Sequence, residues 1–118
     1  MKVLFVCHSK DDAVQLWYAS GSHLGHTFEH LVITSIDDLL GKIPEIQPDL
    51  VVVSYNVGSN LYSGVDVALV MQEYFPNITL AENTCTIEES FHHRDVGVDF
   101  NVQGDPERLF QLIKSVVV

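Results

Sequence analysis

Hydrophobic positions in this chain come in two alternating textures: short unbroken runs, and stretches where they recur every three or four residues. The purest run is Pro48-Asp49-Leu50-Val51-Val52-Val53-Ser54, opened by Pro-Asp and closed by a polar Gly/Ser/Asn segment. A Val-rich run of this kind reads as a strand buried on both faces, in the middle of a parallel sheet. Ser54 then lies at the carboxyl edge of that sheet, where open α/β folds place their chemistry.

The rest of the chain alternates around this strand. Residues 2–7 read as a first strand. Ser9 with Asp12 forms a capping signal for a first helix, whose stripe is Val14, Trp17, Tyr18 and Gly21. His30–Thr34 reads as a second strand, less apolar and so nearer an edge. Ser35 with Asp38 caps a second helix striped by Ile36, Leu39, Leu40 and Ile43, and Pro44 and Pro48 bracket the turn that follows. A loop over Tyr55–Ser63 leads to a third helix over Gly64–Phe75, stopped by Pro76. Ile78–Ala81 reads as a fourth strand, Thr86 with Glu89 opens a fourth helix ending at Gly97, and Val98–Val102 reads as a fifth strand. Asp105-Pro106-Glu107 starts a last helix with the stripe Leu109, Leu112, Ile113 and Val116. Five strands alternating with five helices predict a doubly wound five-stranded parallel sheet between helix layers, a three-layer α/β sandwich in the flavodoxin-like order 2-1-3-4-5.

With 118 residues, 47% of them hydrophobic, the chain suffices for one domain with a packed core. Six Lys+Arg against 16 Asp+Glu give a net charge of −10. That field repels phosphate backbones and anionic membranes, so neither nucleic acid nor a membrane is expected as a partner; mimicry of nucleic acid is the other use of such a charge. No apolar run is long enough to span a bilayer, and the first residues lack a signal-peptide pattern, which leads to the expectation of a cytoplasmic protein. The two cysteines fit a reducing compartment. In the expected strand order, strand three separates Cys7 from Cys85, so no disulfide is expected between them.

Several segments together resemble the receiver domain of response regulators, over almost the whole length. Pro48-Asp49 with four apolar positions before Ser54 matches the receiver's third strand. Gly64-Val65-Asp66 resembles the opening of its third helix, Val96-Gly97-Val98-Asp99-Phe100 the lead into strand five, and Asp105-Pro106-Glu107-Arg108-Leu109 the start of its last helix. The resemblance implies that Phe100 lies near the family's switch aromatic.

The catalytic positions depart from the family. Where receivers carry the phosphate-accepting aspartate this chain has Ser54, and where they carry paired magnesium-binding acids it has Cys7 and His8. Asp11 and Asp12 come too late, the conserved lysine becomes Gln103 before Gly104, and the Ser/Thr after strand four falls within Glu82–Thr84. Aspartyl phosphorylation needs a carboxylate nucleophile, a cation held by hard oxygens and a positive charge on the phosphoryl oxygens. Ser54, Cys7, His8 and Gln103 supply none of these. The resemblance therefore implies a stand-alone pseudo-receiver, a protein–protein interaction or regulatory module without catalytic residues, metal or cofactor. Its partner is a protein or a second copy, met through a surface that includes Glu88, Phe91, His92, Arg94, Phe100, Arg108 and Gln111.

Other chemistries compete for the same residues. Cys7 after the first strand suggests a cysteine-dependent carrier like the phosphotransferase-system IIB proteins, with Lys10 and a helix N-terminus to lower the thiol pKa. A low-molecular-weight tyrosine phosphatase would need Arg at position 13, which is Ala13. His23, His26 and His30 run from a helix end through a turn into a strand, and with His92 and His93 read as solvated side chains rather than a metal site. Trp17 and Tyr18 read as core and boundary residues. A third reading is a ligand-sensing flavodoxin-like domain, with its cleft around Ser54 and Ser59.

Overall fold

A computed structural model describes residues 1–59, 61–84, 98 and 100–116. Its elements are β1 (Lys2–Val6), α1 (Lys10–Ala19), β2 (Thr27–Leu31), α2 (Ile36–Ile46), β3 (Leu50–Ser54), α3 (Gly64–Tyr74), β4 (Thr79–Asn83) and α4 (Pro106–Val116). The strands are parallel in the order β2-β1-β3-β4. As the sequence predicts, β3 is interior and β2 lies at an edge.

Successive side chains on a strand point to opposite faces, and this divides the core in two. Leu4, Val6, Val51 and Val53 pack with Leu39 and Ile43 of α2 and Val67, Ala68 and Met71 of α3. Val3, Phe5, Leu50 and Val52 pack with Leu16 and Trp17 of α1 and Leu109, Leu112 and Ile113 of α4. The second layer also holds an aromatic trio, with ring centroids 6.2 Å apart for Phe5 and Trp17, 5.5 Å for Phe5 and Phe28, and 5.7 Å for Trp17 and Phe28. Each face of the sheet is thus covered by helices, the three-layer arrangement expected of a parallel sheet.

Several local expectations are corrected. The buried face of α1 is Ala13, Leu16 and Trp17 rather than a stripe through Val14 and Tyr18. Tyr18 is 58% exposed and stacks on His23 instead. The second strand is Thr27–Leu31, because Thr27 through Leu31 match Lys2 through Val6 in register. Pro44 lies inside the last turn of α2 rather than after it. Proline forfeits only one hydrogen bond there, and the fully buried Ile43 beside it keeps the turn docked. Gln47 then ends the helix in the left-handed region (φ 54°), its N–H donating to the Ile43 carbonyl at 2.8 Å.

Among the described residues the expected fifth strand is reduced to a parallel bridge between Asn101 and Glu82. The Glu82 N–H donates to the Phe100 carbonyl and the Val102 N–H to the Glu82 carbonyl, both at 2.9 Å. The expected fourth helix, and Cys85 with it, lie outside the described residues.

Candidate functional site

The carboxyl edge of the sheet opens into a cleft of about 630 Å³ between the N-terminal ends of α1 and α4. Register explains its floor. Val6 is opposite Val53, and Ser54 is opposite Asn83. Cys7, one residue beyond β1, therefore follows Ser54 and Asn83 in a row across three neighbouring strands, and all three line the cleft. Phe5 and Leu16 form its apolar base, while Ser9 and Asp12 stand at one wall and Gly104 and Pro106 at the other.

The loops around this edge are tied to one another. The His8 N–H donates to the Asn56 carbonyl at 2.9 Å, and the Ile33 N–H donates to the Val57 carbonyl at 3.0 Å. Asn56 and Ser63 form an antiparallel bridge, and Ser63 and Asp66 complete a reciprocal cap on α3. Gly58 adopts φ +98°, and a Cβ there would collide with Cγ1 of Val32. A Gly is required by both the backbone conformation and the close approach. The loop after β3 is thus pinned at Val57 and Gly58 to the segment after β2.

Cys7 is 6% exposed, and its thiol donates to the Ser9 carbonyl at 3.3 Å. Burial, reinforced by the Asp12 carboxylate, pushes the thiol up to about 11, against the lowering effect of the Ser9 contact. A thiol this far above neutrality is a poor nucleophile. Among the described residues the cleft lining contains no Lys or Arg, and Asp12 is its one carboxylate. Both flanking helices carry acids in their first turns, Asp11 and Asp12 after Lys10 in α1 and Glu107 after Pro106 in α4, which offset the positive ends of the helix dipoles.

Magnesium demands several hard oxygen ligands. A protonated buried thiol, an exposed imidazole and a hydroxyl do not fit that ion. Among the described residues no three His, Cys, Asp or Glu side chains are placed to share a metal. The histidines of the α1–β2 region go separate ways. His23 stacks on Tyr18 with centroids 4.7 Å apart, and His30 bonds the Cys7 carbonyl through Nε2 at 2.9 Å. His30 is a strand residue as read from sequence, but its ring is half-buried and tied to the sheet edge rather than solvated.

Of the four positions that the receiver resemblance sets at the phosphoacceptor pocket, Cys7, His8 and Ser54 line the cleft together. Gln103 does not: it is exposed, in the left-handed region at φ 57°. Sequence reasoning missed Asn101 and gave Asn83 and Thr84 only as part of the span Glu82–Thr84; these three organise the far wall. The Asn101 side chain accepts from the Thr84 N–H at 3.1 Å and the Gln103 N–H at 3.0 Å, and donates to Thr84 Oγ1 at 2.9 Å. The Gly104 N–H donates to Asn83 Oδ1 at 2.7 Å. An Asn inside the apolar run Val98–Val102 was the available signal, since buried polar side chains are hydrogen-bonded.

Of the expected partner surface, Glu88, Phe91, His92 and Arg94 lie outside the described residues. Phe100 and Arg108 meet: the guanidinium lies 5.1 Å from the ring centroid, while Arg108 Nε donates to the Asn101 carbonyl at 2.8 Å. Gln111 bonds Glu107 one turn earlier, at 3.1 Å.

No family model matches this sequence, and no curated protein matches it. Solved structures do. Response regulator DrrB of Thermotoga maritima, an OmpR/PhoB homologue, is 21% identical with a TM-score of 0.73, over 98% of this chain and 52% of that one. The chain therefore spans about half the length of that regulator. The BeF3-activated DrrB receiver domain is 18% identical with a TM-score of 0.73, over 98% and 96%. A CheY-like receiver domain protein of Methanospirillum hungatei is 16% identical with a TM-score of 0.73, over 97% and 90%. The chain has the fold of response-regulator receiver domains.

Proposed function

We propose that this receiver-fold domain is a pseudo-receiver. It is not phosphorylated by the aspartyl-phosphate route, and it acts as a regulatory protein–protein interaction module. The observation that carries this reading is the row Cys7, Ser54, Asn83 across the carboxyl edge, in a cleft whose described lining has one carboxylate and no basic side chain. Among the described residues a phosphoryl group placed there meets no carboxylate nucleophile on β3, no hard-oxygen cage for a cation and no positive charge to stabilise transfer.

The remaining task of such a scaffold is docking. The surface proposed for it includes Phe100, Arg108 and Gln111 among the described residues, and its partner is a protein or a second copy. The buried, proton-holding Cys7 thiol counts against a cysteine-dependent carrier.

Beryllofluoride with Mg²⁺ tests the reading. It activates the DrrB receiver domain. Here it is expected to leave the amide NMR spectrum unchanged, and saturable shifts centred on Ser54 would overturn the proposal.

A further inference from the structure

We infer that the carboxyl-edge cleft is a binding site for a small organic cation, a protonated amine carried on a compact apolar body. The inference rests on the reading that no phosphoryl group is bound there. Its volume of about 630 Å³ falls within the range of small-molecule pockets, which combine apolar walls with a few placed polar groups. Phe5, Cys7, Ala13 and Leu16 provide an apolar base, and each is less than a tenth exposed. The Ser54 hydroxyl stands above it without a hydrogen bond to any described residue, available as an acceptor for an ammonium N–H.

Charge selects the class of ligand. Receiving an anion would take a basic side chain or an uncompensated helix N-terminus. Among the described residues the lining has no Lys or Arg, and acids stand in the first turns of both helices that open onto the cleft, beside the exposed Lys10 in α1. Asp12 is at the wall, its carboxylate is exposed, and it makes no ion pair with a described residue. Its influence already reaches the floor, where it helps hold the proton on Cys7. The net charge of −10 adds a long-range attraction for cations.

Three molecules of nearly one shape and different charge provide the test: 2-phenylethylamine, 2-phenylethanol and phenylacetate, titrated at pH 8 with amide NMR as the readout. The amine is expected to shift Cys7, Ser54 and Ala13 and to bind about fivefold more tightly than the alcohol, the scale of one partly exposed ion pair. Phenylacetate is expected to bind most weakly. Asp12→Asn should reduce the amine to the affinity of the alcohol, and Asp11→Asn, whose side chain is outside the lining, should leave the ranking intact. Phenylacetate binding as tightly as the amine, amine binding indifferent to Asp12→Asn, or no shift from any of the three overturns the inference. None of those results bears on phosphorylation, which is read separately by mass.

Discussion

Asn101 holds Thr84 by two hydrogen bonds in opposite directions, accepting from its backbone N–H at 3.1 Å and donating to its hydroxyl at 2.9 Å. Both residues are at least nine-tenths buried. The same Asn101 amide oxygen anchors the Gln103 turn, and the Asn101 carbonyl receives Arg108 from α4. One residue thus joins the end of β4, the turn beyond the parallel bridge and the last helix.

Asn101→Leu removes those partners and leaves the Thr84 and Gln103 N–H groups unsatisfied. The expected loss is about 2–3 kcal/mol in urea unfolding, the cost of stranding buried donors. Thr84→Val alone is expected to cost about 1 kcal/mol. The double variant should cost less than the sum, because the two side chains share one contact. Additive losses would show that the pair is not coupled.

Cys7 gives a pH signature. Its folded thiol is raised to about 11 from an ordinary 9.0, so the thiolate near neutrality is about a hundredfold scarcer than for a free cysteine. Iodoacetamide labelling should be slower by about that factor and should accelerate on unfolding in urea. Stability carries the same sign. The unfolded chain loses the proton first, so the contribution is intact below pH 9 and is lost as pH rises towards 11. Cys7→Ala should flatten that alkaline decline.

Gly58 and Gly21 separate two costs. Both have positive φ, +98° and +76°, but only at Gly58 would a Cβ strike Val32. Gly21→Ala is expected to cost about 1 kcal/mol for conformation alone. Gly58→Ala should cost about 2 kcal/mol or more, because the β3–α3 loop must withdraw from the segment after β2. Equal melting temperatures for the two variants would contradict the tight approach.

The sequence displayed the scaffold where one face or one run decided the matter. The Val51–Val53 run, the α2 stripe through Leu39 and Ile43, and the α4 stripe through Leu109, Leu112 and Ile113 all occupy the core. It was less informative where tertiary contact overrides pattern. The rotation of α1 follows from packing Leu16 and Trp17 on Phe5 and Phe28, and Pro44 is tolerated because Ile43 is held by the core. The site was half legible. Cys7, His8 and Ser54 fall together because strand ends align in a parallel sheet, whereas the Asn101–Thr84 clasp depends on contacts 17 residues apart that no local pattern encodes.

Restoring one residue is not expected to restore the chemistry. Ser54→Asp supplies a nucleophile, but Cys7 and His8 still hold no magnesium and Gln103 still brings no charge. The variant should remain unmodified by acetyl phosphate and Mg²⁺, as read by intact mass. Efficient modification of the single variant would mean that the other positions were never needed.

The most direct measurement is intact-mass spectrometry of the unaltered protein after incubation with Mg²⁺ and acetyl phosphate. The pseudo-receiver reading predicts a single species at the unmodified mass. A saturating gain of one phosphoryl group, mapped by peptide analysis to Ser54 or to another residue of the cleft, would contradict it.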